Sequence, residues 1–131
     1  GARDELEVYG DDYETPDGTG VRDYIHVSDL ASAHILALDY LQAYDRLTVN
    51  LASGESHSVL NVVDTARKVT GSEIPFRVVD RRPGDPAELV ASSKLAQKTL
   101  GREPVHSKLE ELLTSMWKVY QHHFQQIEVP V

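Results

Sequence analysis

A chain of 131 residues has enough material for one modest core, and its 40% hydrophobic and 26% charged content is that of an ordinary globular protein. The net charge of −8 argues against nucleic acid as a partner, although local arginines can still oppose that sign at an anionic ligand. Zero cysteines exclude disulfides, thiolate metal sites and a cysteine nucleophile, which fits a reducing cytoplasm. The polar opening Gly1-Ala2-Arg3-Asp4-Glu5 has no signal-peptide core, and the missing initiator methionine points to a fragment or a processed chain. No apolar run approaches the ~20 residues that span a bilayer, so no membrane role is expected. Leu6-Glu7-Val8-Tyr9 alternates as a short half-buried strand that Gly10-Asp11-Asp12 stops, and the residues through Gly20 are rich in turn formers. Ser28 is the expected N-cap of a first helix, with Asp29 in its first turn and Leu30, Ala33, Ala37 and Leu41 at helical spacing. Leu47-Thr48-Val49-Asn50-Leu51 reads as a buried strand.

Ser58 caps a second helix whose apolar stripe is Val59, Val62, Val63, Ala66 and Val69, and Gly71 closes it. Ile74–Val79 reads as a strand whose Pro75 suggests an edge or a strand start. After the loop Asp80–Pro86, a short strand Glu88–Ala91 leads to a helix near Ser93–Leu100, ended by Gly101. The last helix opens on the capping box Ser107-x-x-Glu110, with Leu109, Leu112, Leu113, Met116 and Tyr120 as its inner face. The tail from Gln125 to Val131 carries no assignment. Short strands alternating with helices give an α/β class with α+β character: one domain over residues 1–131, a small mixed sheet flanked by helices.

Two constellations carry chemistry. Arg22 follows a glycine-softened turn, and its planar fork suits a phosphate, but Asp23 beside it could equally hold it in a salt bridge. Arg81-Arg82-Pro83-Gly84-Asp85-Pro86 sets two arginines against a Pro-Gly turn. There Gly84 lets backbone approach a ligand, and Asp85 can accept from sugar or ribose hydroxyls; a solvated turn is the plainer alternative. Two arginine loops on an acidic protein together suggest a diphosphate clamp. The six histidines lack metal-ligand spacing, and adjacent His122 and His123 point apart on a helix, so no metal is expected. Tyr24 has no Tyr-x-x-x-Lys context, and Ser28 has no Gly-x-Ser-x-Gly elbow, so no catalytic residue is assigned. Trp117 and Tyr120 read as core or interface, and Asp11-Asp12-Tyr13-Glu14 as a solvated loop.

The segments Val8–Tyr13, Pro16–Val27, Asp29-Leu30-Ala31, Val49-Asn50-Leu51, Ser58-Val59, Arg67–Gly71 and Arg81–Ala87 resemble, in order and spacing, the C-terminal portion of the UDP-galactose 4-epimerases. These belong to the extended short-chain dehydrogenase/reductase superfamily. The resemblance implies the substrate-binding part of an NAD-dependent epimerase that interconverts UDP-galactose and UDP-glucose through a 4-keto intermediate. It implies that Glu7, Val8 and Tyr9 line the uridine side, that Arg22 contacts the diphosphate, and that Arg82 with Asp85, across Pro83 and Gly84, holds phosphate and ribose. It further implies that NAD, the Gly-rich turn and the catalytic Tyr and Lys belong to an N-terminal Rossmann domain absent from this chain. The chain alone is then inactive, its expected partners being a UDP-hexose, the missing domain and, in a homodimer, a second copy. Leu89 stands where some members of the family carry a tyrosine, and Arg102 where a tryptophan is common. The alternatives are another nucleotide-sugar epimerase, dehydratase or decarboxylase of the superfamily, or a non-catalytic nucleotide-binding module.

Overall fold

The structure is a computed structural model that describes residues 4–125, without the side chains of 123–125. The expectations for Gly1–Arg3, for the side chain of His123 and for most of the Gln125–Val131 tail therefore lie outside the described residues. The elements in chain order are β1 (Leu6–Tyr9), β2 (Val21–Asp23), α1 (Val27–Tyr40), β3 (Ser56–Ser58), α2 (Val59–Thr70), β4 (Phe76–Val79), β5 (Glu88–Leu89), α3 (Lys94–Leu100) and α4 (Leu109–Gln125). Strands and helices intermix as the alternating pattern requires. The expected single small sheet is instead two: β1 pairs with β4 in parallel, and β2 is flanked by antiparallel β3 and parallel β5. Strands β2 and β3, only three residues each, were too short to leave a periodic signature.

Helix α2 forms as its sequence dictates. Ser58 accepts from the Asn61 N–H at 3.1 Å, Val63 is buried, and Gly71 takes φ +66° at the C-terminus. Helix α3 likewise ends on left-handed Gly101, and Pro75 stands just before β4, where its carbonyl accepts from the Leu6 N–H. Two caps differ from expectation. His26, not Ser28, is the N-cap of α1: its Nδ1 accepts from the Ser28 N–H at 3.0 Å. The Ser107 hydroxyl does not serve a capping box; it donates to Asp29 at 2.7 Å and accepts from the His26 N–H. Both residues are drawn into a tertiary contact that local spacing cannot encode.

Three further expectations change. Leu47–Leu51 is not a strand; the segment has no regular structure and no paired neighbour among the described residues. The strand expected over Glu88–Ala91 shrinks to Glu88–Leu89. Met116, expected on the inner face of α4, is exposed on an open groove between α2 and α4 that Leu113, Trp117 and Tyr120 also line. Helix α1 carries apolar residues on two sides: Ala33 and Leu36 face a small cavity shared with Leu51, Ala52 and Leu100, while Val27, Ile35 and Leu38 on the opposite side are exposed.

The loop between β1 and β2 is fixed by Asp17, whose carboxylate accepts from the Thr19 N–H at 3.0 Å and from the hydroxyls of Thr19 and Ser58. Burial pushes the Asp17 pKa up, but these hydrogen bonds outweigh it and the net shift is downward. Gly18 closes the loop at φ +79°, where an added Cβ would lie 1.9 Å from the Asp11 carbonyl oxygen. Gly18→Ala is therefore expected to destabilise the chain by about 2 kcal/mol or more, read as a lower urea midpoint at unchanged slope. A loss under about 0.5 kcal/mol would show that the loop relaxes freely.

Candidate functional site

Parallel pairing of β1 with β4 brings the carboxyl ends of both strands together, with Tyr9 opposite Val79 and the Gly10 N–H donating to the Val79 carbonyl at 2.9 Å. In open α/β sheets that end of parallel strands is where ligands are received. The chain leaving β4 carries Arg81 and Arg82, so both arginines are delivered beside the end of β1. Arg82 then enters a tight turn: Pro83 and Gly84 are its central residues, Gly84 takes φ +81°, and the Asp85 N–H donates back to the Arg82 carbonyl at 3.2 Å. Proline followed by a positive-φ glycine is the signature of a type II turn. The sequence Arg82-Pro83-Gly84-Asp85 thus fixes where its two charged ends point.

The two arginine loops meet. Arg22, on β2, donates through Nη2 to Asp85 Oδ1 at 2.8 Å and through Nη1 to the Val21 carbonyl at 2.8 Å, with a longer contact to Ala87. β2 is held beside the turn's exit by β5 and by the Val21 N–H bond to the Ala87 carbonyl. The Arg22–Asp23 pair considered from sequence does not form. Asp23 instead accepts from the Ser53 N–H and hydroxyl through Oδ1, and its Oδ2 is buried with no hydrogen-bond partner. Of the five guanidinium N–H donors, the contacts above leave the Nε–H and an Nη2–H of Arg22 for an incoming anion. Nearby, burial raises the Tyr24 pKa, partly opposed by the charge of Arg22.

On the other side, the Arg82 guanidinium lies 3.7 Å from the Tyr9 ring centroid, and the Tyr9 hydroxyl donates to Glu7 Oε2 at 2.7 Å. Glu7 also receives Arg77. Val8, expected from the resemblance to line the ligand, is only 1% exposed as a whole residue and is core between Glu7 and Tyr9 in the β1–β4 ladder. Pro83 and Gly84 are not buried, and nothing lies within 4 Å of a Cβ added at Gly84, so the crest of the turn is open to close approach. The structure therefore brings Glu7, Tyr9, Arg22, Arg82 and Asp85 around one turn.

Arg81 does not join them. Its Nε donates to Asp12 at 2.6 Å and its guanidinium lies 4.0 Å over the Tyr13 ring, which is buried beneath it. The stretch Asp11–Glu14 is accordingly not a purely solvated loop: Tyr13 is core and Asp12 anchors an arginine. Gly10 permits this crossing, since an added Cβ would sit 2.6 Å from Arg81 Cγ. Sequence reasoning missed this brace because its partners are 69 residues apart; the only local hint is an aromatic among acids.

Among the described residues no group of three or more His, Asp or Glu could hold a metal ion, and no helix is long and apolar enough to cross a membrane. A dinucleotide needs a glycine turn between a strand and a helix start. Here β3 runs straight into α2 at Ser58, and Tyr24-Ile25-His26 joins β2 to α1 without a glycine. Neither of these junctions offers the glycine turn that receives a dinucleotide's pyrophosphate.

The family model of the NAD dependent epimerase/dehydratase family matches residues 2–52. A UDP-glucose 4-epimerase of Lacticaseibacillus casei is 47% identical over 94% of this chain and 38% of its own length; one from Corynebacterium glutamicum is 49% identical over 89% and 36%. Among solved structures, UDP-glucose-4-epimerase from Stenotrophomonas maltophila with bound NAD and formylated UDP-arabinopyranose superposes with a TM-score of 0.90 at 44% identity, over 95% of this chain and 37% of that one. The enzyme from Bifidobacterium longum in complex with NAD+ and UDP does so at 0.84 and 40%, over 93% and 37%. The chain thus spans less than two fifths of the length of these relatives.

Proposed function

We propose, from the homology of nearly its whole length to UDP-glucose 4-epimerases, that the chain is the nucleotide-sugar-binding part of such an enzyme. Residues 1–131 act as one C-terminal substrate-binding domain. The observation that carries this reading is the contact of Arg22 with Asp85, which joins two separately encoded loops beside Tyr9 and Arg82. The diphosphate of a UDP-hexose lies against Arg22 and Arg82, where the guanidinium forks supply charge-assisted donors. Asp85 accepts from the ribose, and Glu7 and Tyr9 line the uracil side over the buried Val8. Binding the diphosphate requires Arg22 to share or release Asp85, so the free-state pair holds the arginine in place until the ligand arrives.

NAD and the proton-transferring groups belong to the portion of the parent enzyme outside this chain; when bound, NAD supplies a hydride acceptor at the sugar C4. The chain alone binds without turning over, and its working partners are that missing portion and a UDP-hexose. A cytoplasmic setting agrees with the absence of cysteine. Calorimetry with UDP against uridine tests the clamp. UDP is expected to bind at least about tenfold more tightly, the difference being the diphosphate's charge-assisted contacts. Equal affinity for the two would sink the clamp. Incubation of UDP-galactose with the chain and NAD, followed by NMR, should give no UDP-glucose.

A further inference from the structure

Two successive arginines are seated on two different tyrosines. Arg82 lies over the Tyr9 ring at 3.7 Å, and Arg81 lies over the Tyr13 ring at 4.0 Å. The backbone around them is tied at two points: the Val79 carbonyl accepts from the Gly10 N–H, and the Arg82 carbonyl accepts from the Asp85 N–H. Between these bonds lie Asp80 and Arg81, and Arg81 crosses to the β1–β2 loop. There its Nε donates to Asp12 Oδ1 at 2.6 Å and its Nη2 to the Asp12 carbonyl. That hydrogen bond holds the Asp12 carboxyl below its ordinary pKa. The base of the contact is firm, because Tyr13 is buried and its N–H donates to the Gly18 carbonyl at 2.9 Å. The same loop runs on into β2, which carries Arg22. Both Arg81 and Arg82 are exposed, so the stability gained from the ion pair itself is small. What the contact supplies is geometry.

We propose that Arg81 is a positioning residue: seated on Asp12 and Tyr13, it fixes the backbone before the turn and holds its neighbour Arg82 over Tyr9 before a diphosphate arrives. The ligand in this inference rests on the function proposed above; the placing of Arg82 does not. An exposed arginine samples many rotamers, and a ligand that must order it loses affinity to that ordering. With Arg81 pinned to the β1–β2 loop, the backbone that carries Arg82 is set against the loop that leads to Arg22. The spacing of the two phosphate-facing guanidinium groups is then fixed in the free protein. Arg81 and Asp12 act through Arg82 and do not touch the ligand.

Two measurements on Arg81→Ala, Arg81→Lys and Asp12→Ala test this, with circular dichroism to confirm that each variant folds. The first is NMR of the ligand-free chain. The Tyr9 ring current shifts the side-chain protons of Arg82, which are assigned by their loss in Arg82→Ala. That shift should collapse in Arg81→Ala and in Asp12→Ala. The second is calorimetry with UDP and uridine. Both alanine variants should weaken UDP by about threefold to tenfold, the cost of immobilising one rotamer-rich side chain, and leave uridine unchanged. Arg81→Lys keeps the charge but not the fork, so it should recover part of the loss. Asp12→Ala separates position from charge: removing an acid by itself favours an anion, whereas loss of the seat weakens it. The double variant should be no weaker than Arg81→Ala, since both changes break one contact. An unmoved Arg82 resonance, a parallel loss of UDP and uridine, or tighter UDP in Asp12→Ala would each overturn the proposal. Equal binding of UDP and uridine by the unmodified chain would instead remove the diphosphate reading, and the Arg82 resonance alone then decides whether Arg81 positions its neighbour.

Discussion

Replacing Asp29 with alanine is expected to remove about 3–5 kcal/mol of folding stability, a large share of what a domain of this size has. Asp29 lies in the first turn of α1, but its carboxylate is turned inward and only 4% of the residue is exposed. It accepts from the Val105 N–H at 3.0 Å, the His106 N–H at 2.9 Å and the Ser107 hydroxyl at 2.7 Å, with the Arg102 guanidinium 3.7 Å away. Alanine would strand all these donors at the entrance to α4. Asparagine keeps one acceptor oxygen, so Asp29→Asn should cost about half as much. Urea titration of both variants checks this; an alanine variant within about 1 kcal/mol of the parent would contradict it.

The pH dependence follows from the same contacts. Burial pushes the Asp29 pKa up, but the bonds from Ser107, Val105 and His106 outweigh it, so the folded value lies below the usual one. A depressed carboxylate contributes stability that is fully present above its unfolded pKa of about 3.9 and is lost as pH falls through the folded value. Asp17 shifts in the same direction through Ser58 and Thr19. Stability should therefore drop below about pH 4, and Asp29→Asn should flatten that drop.

The largest expected effect on binding is at Arg22. Arg22→Ala should lower affinity for UDP by about tenfold to a hundredfold, the range of a charge-assisted hydrogen bond or two, while leaving uridine affinity nearly unchanged. Arg22→Lys should recover only part of the loss, because a point charge cannot reproduce the planar fork that meets both a phosphate and Asp85. Asp85→Asn separates the two roles within the turn. Loss of a ribose contact weakens UDP and uridine together, whereas release of Arg22 alone would strengthen UDP only. Calorimetry on the three variants with both ligands reads these patterns. Equal losses for UDP and uridine in Arg22→Ala would remove Arg22 from the diphosphate.

How much of this was legible in the residues varies by element. Helix α2 was fully so: Ser58 caps it, Val63 is buried and Gly71 ends it, all within one local stretch. The turn Arg82-Pro83-Gly84-Asp85 was legible for the same reason, since proline and glycine set its dihedrals directly. Leu47–Leu51 shows the limit of such reading. Its alternation of apolar and polar side chains is real and its burial follows that alternation, but a strand needs a neighbour, and pattern alone supplies none.

By itself, then, the sequence determined the turn that carries Arg82 and Asp85, the helix that starts after β2 and the mixed α/β class, because caps, turns and periodicity act over a few residues. Only the tertiary structure decided what those residues touch. Ser28 and Ser107 are good caps by type, yet His26 caps α1, and Ser107 is taken by an aspartate 78 residues away. Arg22 passes over adjacent Asp23 for Asp85, 63 residues on, because β5 beside β2 places that carboxylate within 2.8 Å. A neighbour along the chain has no advantage once a strand turns its side chain to the opposite face; the partner is chosen by which loop the sheet delivers to that face.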